Sequence, residues 1–195
     1  GSSAASTSTN AEPLVRNVDL WIFGDHKARA MIDLPSSSSR DVPRLKKIVA
    51  DLGTGDVNAF YLHLCEGVRG DERSAGEFQA FLASGAATPA TNVIHGSALS
   101  EADLHTLADA GCRLVWSPQS NLRLYGSTSL AGGARGPGIA VALGAGWVPV
   151  GVTSPLGGME VGRRPPARGG APRSGCGPAA VGTVRAWRRA GVVGQ

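Results

Sequence analysis

Hydrophobic and polar positions along residues 41–143 form a pattern in which helix-like and strand-like segments alternate. Asp41–Leu52 and the segments that begin near Ser74 and Ser100 space their apolar residues three and four positions apart, which predicts amphipathic helices. Short apolar runs predict buried strands, namely Val57–Leu64, Asn92–Ile94, Arg113–Trp116 and Ile139–Leu143. Such alternation with short connections predicts an α/β fold built on a parallel sheet.

Two of the predicted helices begin with a capping signal. Ser74 and Glu77 have the spacing of a capping box, and Ser100 with Asp103 gives a similar N-terminal cap. Further upstream, Leu14–Phe23 is interpreted as another strand. The mixed stretch Asp25–Arg40, which contains four consecutive serines, is interpreted as an exposed loop.

Composition divides the chain into three segments. Residues 1–13 are rich in Ser, Thr and Ala and predict a flexible N-terminal segment, whereas residues 14–159 carry the helix–strand alternation. Residues 160–195 contain eight Gly, seven Arg and four Pro, but no Leu, Ile, Phe, Tyr or Lys, which predicts a disordered basic tail. This tail has two interpretations: a shifted reading frame of a GC-rich gene, or a natural basic linker.

The distribution of charge argues against a nucleic-acid-binding body. The chain of 195 residues has a formal charge of +4. Residues 160–195 hold seven Arg and one acidic residue, so the other 159 residues hold 12 basic and 14 acidic side chains, a net charge of −2. We therefore expect no nucleic-acid partner, and nucleic-acid binding by the tail is the weaker alternative.

Cysteine usage and hydropathy indicate the compartment. Cys65, Cys112 and Cys176 are odd in number, widely spaced and without a C-x-x-C pair, which favours a reducing environment. No apolar run approaches the ~18 residues that span a bilayer, and the N-terminal residues lack the order of a signal peptide. The sequence therefore predicts a cytoplasmic protein with no membrane partner.

Polar residues follow the predicted strands directly. His63, His95, Ser117 and Gly146 all lie where strands end. In parallel α/β sheets, ligands bind at the carboxyl ends of the strands, whether the sheet is open or closed into a barrel. We therefore expect the functional site at this edge of the sheet.

The pair His63 and Glu66 suggests metal-assisted acid–base chemistry. An imidazole at a strand end can ligate a divalent metal ion, and a carboxylate three residues later can shuttle a proton to a leaving group. H-x-x-E alone is a weak signal. The alternative is a histidine hydrogen-bonded to a neighbouring strand beside a solvated glutamate.

The next two strand ends extend this candidate site. His95 could bind metal or donate a hydrogen bond to a developing oxyanion, and its structural alternative is a partnered rim histidine. Gln119 and Asn121 could orient a substrate. The alternative is that the polar residues of this segment only form a loop and cap the following helix. Cys65 adjoins the site but has no clear base for a thiol nucleophile.

Four ordered motifs resemble a known superfamily: L-H-L-C-E-G (62–67), V-I-H-G-S-A-L (93–99), L-V-W-S-P-Q-S-N-L-R-L-Y-G (114–126) and V-A-L-G-A-G-W (141–147). Together they resemble the amidohydrolases, in particular the chlorohydrolase and cytosine/guanine-deaminase group of metal-dependent hydrolases. The resemblance covers about residues 14–159. It implies a partial (β/α)₈ TIM-like barrel made of about the last four to five βα units.

The resemblance also implies roles for individual residues. His63 matches a ligand of one Zn²⁺ or Fe²⁺ ion, and Glu66 matches the general acid/base. His95 matches a histidine that steadies the hydrolytic water or the substrate, and Asn121 matches a pocket residue. The implied reaction is hydrolysis of a non-peptide C–N or C–Cl bond in a small-molecule substrate.

Two departures from the superfamily pattern bear on activity. The chain contains no H-x-H pair, and Gly146 stands where the superfamily has a metal-binding aspartate. These departures predict an incomplete and inactive fragment that does not retain its metal. Exposed sheet edges would favour a homo-oligomer. The alternative is a non-catalytic binding or assembly module built on a barrel remnant.

Overall fold

The computed structural model describes residues 28–130 and 138–144, together with positions 157 and 161. The strands of the described part are β1 (Ala28–Met31), β2 (Ala59–Leu64), β3 (Thr91–His95), β4 (Arg113–Trp116) and β5 (Ala140–Leu143). The helices, numbered in chain order, are α1 (Val42–Thr54), α2 (Glu72–Ala83), α3 (Glu101–Asp109) and α4 (Pro118–Tyr125).

The strands form one parallel sheet in the order β1-β2-β3-β4-β5, so that each strand pairs with the next one along the chain. Every crossover therefore moves in the same direction, as in a barrel, whereas a doubly wound sheet reverses its strand order. This arrangement confirms the predicted α/β class and agrees with part of a TIM-like barrel. Strands β2 and β3 pair in a register that sets His63 beside Ile94 and Leu64 beside His95.

The core lies between the sheet and the apolar faces of the helices. The predicted helix stripes face this core, and their buried residues are Leu45 and Ile48, Phe78 and Phe81, and Leu104 and Leu107. Each such side chain contributes roughly 1.5–3 kcal/mol when it is fully buried. This packing fixes the positions of the strands, and so aligns their carboxyl ends at the edge of the sheet where the candidate site lies.

Strand β1 corrects the prediction that residues 25–40 form an exposed loop. Ala28–Met31 pairs with Ala59–Leu62 of β2, although only Met31 of the four β1 residues is buried. A strand with one buried side chain shows no apolar alternation, so the sequence gives little signal for it. Arg44 of α1 donates a hydrogen bond to the carbonyl oxygen of Ala30, at 3.0 Å.

The predicted capping box at Ser74 is wrong. Helix α2 begins at Glu72, and the Asp71 carboxylate caps it by accepting hydrogen bonds from the backbone amides of Arg73 and Ser74. Glu77 instead accepts a hydrogen bond from the backbone amide of Cys65, at 2.9 Å. The predicted cap of α3 is confirmed, because Ser100 and Asp103 form both halves of a capping box.

Several sequence-based predictions lie outside the described residues. These are the flexible segment 1–13, the strand Leu14–Phe23, the tail 160–195 apart from position 161, and the position of Gly146. Within the described residues, no helix has the length and apolar character needed to cross a membrane.

Candidate metal centre

His63 and Glu66 are brought together by a turn at the end of β2. His63 lies in the strand, and Cys65 beyond it adopts a left-handed backbone conformation with φ of 50°. Such conformations are uncommon for residues other than glycine. The amide of Cys65 donates a hydrogen bond to the Glu77 carboxylate. The carbonyl oxygen of Cys65 accepts a hydrogen bond from the amide of Ala98, at 3.0 Å. The turn directs Glu66 back toward the strand end.

Glu66 lies between the two rim histidines. Its Oε2 is 3.2 Å from Nδ1 of His63, and its Oε1 is 3.4 Å from Nε2 of His95. Candidate ligand atoms, one from each of these three residues, all lie within 4.8 Å of one another. The structure therefore joins the two predicted strand-end histidines and the predicted acid/base into one cluster.

His95 is the buried member of this cluster. It terminates β3 with φ of 69°, and Gly96 continues the left-handed path with φ of 54°. The side chain of His95 is 6% exposed, compared with 34% for His63 and 27% for Glu66. Nδ1 of His95 lies 2.7 Å from Oδ1 of Asn121 on α4. The cluster is thus closed on the His95 side and accessible from the side of His63 and Glu66.

The electrostatics of the cluster favour an ionised carboxylate beside a neutral imidazole. The hydrogen bond with His63 lowers the pKa of Glu66 despite its partial burial, and the nearby His95 adds to this effect. Burial lowers the pKa of His95, although the Glu66 carboxylate acts in the opposite direction. At neutral pH the site therefore presents a negative oxygen and an uncharged ring nitrogen, which are the forms that bind metal ions.

This donor set suits a divalent transition metal. Two imidazole nitrogens and one carboxylate oxygen form a three-residue set of the kind found in catalytic zinc sites. The separation within 4.8 Å allows the three side chains to approach a common ion with small adjustments. The residues present therefore fit a metal ion, and Glu66 and His95 join His63 as candidate ligands.

The structure separates the remaining predicted residues into three groups. Asn121 contacts His95 and thus belongs to the site. Gln119 lies in the first turn of α4 and is half-buried, whereas Ser117 is the residue that precedes this helix. The thiol of Cys65 is buried and donates to the carbonyl oxygen of Ser74, and burial raises its pKa, which argues against a thiol nucleophile.

Sequence reasoning missed four residues that support the site. Tyr125, at the end of α4, acts on the Glu66 carboxylate and adds to the lowering of its pKa. Thr128 accepts hydrogen bonds from Nε1 of Trp116, at 2.7 Å, and from Nδ2 of Asn121, at 3.3 Å. Arg69 donates through Nη2 to the carbonyl oxygen of Thr128, at 2.9 Å. These contacts follow no periodic spacing, so no pattern in the sequence indicates them.

Comparison with known proteins finds similarity at the level of structure. No known family profile and no curated protein sequence matches the chain. A zinc-bound adenosine deaminase from Xanthomonas campestris matches with 18% identity and a TM-score of 0.48, over 68% of this chain and 28% of that one. A triazine hydrolase from Arthrobacter aurescens matches with 15% identity and a TM-score of 0.49, over 70% of this chain and 28% of that one.

An atrazine chlorohydrolase mutant from Arthrobacter aurescens, in complex with zinc and atraton, gives a similar match. It has 15% identity and a TM-score of 0.49, over 70% of this chain and 29% of that one. The aligned part of this chain thus spans less than a third of each of these proteins.

Proposed function

We propose that the cluster His63–Glu66–His95 is the catalytic rim of an amidohydrolase-type, metal-dependent hydrolase that acts on non-peptide C–N bonds, of the deaminase or chlorohydrolase type. One observation carries the proposal. The Glu66 carboxylate lies between two imidazoles from neighbouring strand ends, at 3.2 Å from His63 and 3.4 Å from His95. A carboxylate so placed can exchange protons with a reacting group while the imidazoles hold a metal ion.

Each member of the cluster has a distinct role in this proposal. His63 and His95 would hold a Zn²⁺ or Fe²⁺ ion, with Glu66 as a further contact. The metal ion, when bound, supplies Lewis-acid polarisation and activates water as a nucleophile. Glu66 is ionised, accepts a proton from the attacking water and returns it to the departing amine or ammonia. His95 lies on the closed side of the cluster, where it excludes bulk water.

The accessible side of the cluster is where a substrate would enter. His63 and Glu66 are 34% and 27% exposed, whereas His95 is 6% exposed. A small planar heterocycle could therefore approach Glu66 from the His63 side without displacing the core. Tyr125 lies at the end of α4, where burial and the Glu66 carboxylate raise its pKa, and its ring could contact such a heterocycle.

We further propose that the chain by itself has little or no turnover. It contains no H-x-H pair, and Gly146 has no side-chain oxygen where the resembled superfamily has an aspartate. Fewer protein ligands lower metal affinity and leave the ion poorly oriented. The cluster would then bind metal weakly and reversibly.

Metal titration tests the proposal most directly. Isothermal titration of the full chain with Zn²⁺ should show one site, and His63→Ala and His95→Ala should each weaken binding at least tenfold. His105→Ala is the matched control, because His105 is exposed on α3 and lies outside the cluster. An equal Zn²⁺ affinity in the wild type and in all three variants would overturn the proposed metal site.

Turnover is tested on the same preparations. Zn²⁺- or Fe²⁺-loaded protein is incubated with amino- and chloro-substituted heterocycles, and release of ammonia, amine or chloride is measured. Any activity should disappear in Glu66→Gln, which keeps the size of the side chain but removes its basic oxygen. Robust turnover by the chain alone would contradict the proposed weak activity. Turnover that persists in Glu66→Gln would contradict the role of Glu66.

A further inference from the structure

A buried chain of hydrogen bonds runs behind His95. Nε1 of Trp116 donates to Oγ1 of Thr128 at 2.7 Å, and Nδ2 of Asn121 donates to the same oxygen at 3.3 Å. Oδ1 of Asn121 faces Nδ1 of His95 at 2.7 Å. We infer that Trp116, Thr128 and Asn121 form a positioning network that fixes the Nδ1-protonated tautomer of His95 and directs the lone pair of Nε2 toward Glu66.

The orientation of the Asn121 amide determines this tautomer. Its NH₂ group faces Thr128, so its carbonyl oxygen faces His95. A carbonyl oxygen can only accept, so Nδ1 of His95 must carry the hydrogen in this contact. A neutral imidazole has one protonated nitrogen, and Nε2 therefore keeps its lone pair.

Burial makes this orientation difficult to reverse. Asn121 is fully buried, and Trp116 and Thr128 are 1% and 3% exposed, so water cannot readily replace a lost hydrogen bond. An unsatisfied polar group at such a position costs about 1–3 kcal/mol. Arg69 holds the backbone of Thr128 through a hydrogen bond of 2.9 Å to its carbonyl oxygen, which links the network to the loop that carries Glu66.

The inferred tautomer also determines how the Nε2 side of the His95 ring faces Glu66. Nε2 of His95 lies 3.4 Å from Oε1 of Glu66, and in the inferred tautomer both atoms are acceptors. Two facing acceptors favour a proton donor or a cation between or beside them. The inference thus deepens the proposed function, but the tautomer itself is a property of the metal-free chain and does not depend on that function.

Nitrogen NMR of the full chain without metal tests the tautomer. A long-range ¹H–¹⁵N correlation spectrum of the uniformly labelled protein, at a pH where the ring is neutral, distinguishes protonated from unprotonated ring nitrogens. We expect His95 to show a protonated Nδ1 and an unprotonated Nε2. A wild-type spectrum with the hydrogen on Nε2 overturns the inference, whatever the variants show.

Variants test whether the network selects the tautomer. Thr128→Val removes the shared acceptor and lets the Asn121 amide rotate, so the Nε2-protonated form should appear. Asn121→Asp keeps an acceptor oxygen and should retain the Nδ1-protonated form, whereas Asn121→Leu should lose it. Thr106→Val is the matched control, because Thr106 is exposed and its hydroxyl donates to the carbonyl oxygen of Ala102 within α3, away from the network.

A purely structural role would change stability without moving the tautomer ratio. An unchanged ratio in both Thr128→Val and Asn121→Leu would therefore overturn the inference. If Thr128→Val does not fold, the Asn121→Asp and Asn121→Leu pair decides the question. With Zn²⁺, Thr128→Val should weaken binding by about 10–100-fold. Absence of Zn²⁺ binding in wild type would contradict the proposed function alone and leave the tautomer result valid.

Discussion

The rings of His63 and His95 meet edge to face, with centroids 5.0 Å apart and an interplanar angle of 66°. The two residues are 32 positions apart in the sequence and come from neighbouring parallel strands. This geometry leaves their nitrogens facing a common volume, into which Glu66 also points. A rim histidine with a purely structural partner would not need a second imidazole and a carboxylate at this distance.

We expect Gly146→Asp to strengthen metal binding by the full chain. Position 146 lies outside the described residues, and the prediction depends on the resemblance of residues 141–147 to a segment that carries a metal-binding aspartate. An added carboxylate ligand should lower the Zn²⁺ dissociation constant at least tenfold, or about 1.4 kcal/mol. Isothermal titration measures this change.

The same substitution in a His63→Ala background provides the control. If the new carboxylate acts at the proposed site, the gain should be largely lost without His63. A gain of equal size in both backgrounds would show that Gly146→Asp creates a separate site. No gain in either background would contradict the correspondence of Gly146 with the superfamily aspartate.

Gly96→Ala should destabilise the fold and displace His95. Gly96 has φ of 54°, and an added Cβ would lie 2.9 Å from Cδ1 of Leu99 and 3.0 Å from Cδ1 of Leu114. The left-handed backbone costs about 1–2 kcal/mol for an L-residue, and crowding in a packed core adds about 1–3 kcal/mol. Urea unfolding should show the sum as a lower free energy of unfolding.

Gly55→Ala separates the cost of the left-handed backbone from the cost of crowding in the core. Gly55 also has a left-handed conformation, with φ of 80°, but an added Cβ there would meet no atom within 4 Å. Its cost should be the backbone part alone, about 1–2 kcal/mol. Equal destabilisation by both substitutions would show that the contacts of Gly96 with Leu99 and Leu114 do not matter.

The location of the site follows from the sequence because a parallel sheet aligns its strand ends. His95 ends a buried apolar run and His63 is the second-last residue of another, and the spacing of apolar residues alone predicts that both lie at the same edge of the sheet. The helix faces around Phe78, Phe81 and Leu104 are predicted for the same reason, since burial imposes the spacing of their apolar residues.

The remaining features depend on contacts that have no sequence period. Strand β1 has one buried side chain and is recognised only by its pairing with β2. Glu77 fits a local capping box by spacing, yet its carboxylate accepts a hydrogen bond from the amide of Cys65, which lies in the turn after β2. The same holds for Thr128, whose hydroxyl links Trp116 to Asn121. Tertiary geometry, and not local preference, selects these partners.

Glu77→Ala should loosen the turn that carries Glu66. Its Oε2 accepts a hydrogen bond from the amide of Cys65, a non-glycine residue in a left-handed conformation. Losing this acceptor should cost about 1–3 kcal/mol and should speed hydrogen exchange at the amide of Cys65.

Glu77→Gln is the matched variant for this prediction, because its side-chain oxygen can still accept the hydrogen bond. Burial raises the pKa of Glu77, so a neutral amide should be tolerated at this half-buried position. We expect exchange at Cys65 to remain near the wild-type rate in Glu77→Gln. Fast exchange in both variants would indicate that charge, and not the hydrogen bond, holds the turn.

Alkaline pH should destabilise the fold through its buried thiols. Burial raises the pKa of Cys112 from 9.0 to about 11, and it raises the pKa of Cys65 further. Because the unfolded thiols ionise first, the unfolded state binds fewer protons above pH 9, and the free energy of unfolding should fall as pH rises from about 9 to 11. Unfolding in urea across this range measures the slope.

Cys112→Ala isolates the contribution of one thiol. The variant should show a shallower decrease with pH than the wild type, although its stability at pH 7 should be lower because of the lost buried sulfur. In the native wild type at pH 8, iodoacetamide should leave Cys65 and Cys112 unmodified, and unfolding should expose both to reaction. Rapid alkylation of Cys112 in the native chain, or an unchanged pH slope in Cys112→Ala, would contradict the burial of this thiol, which donates to the carbonyl oxygen of Thr88.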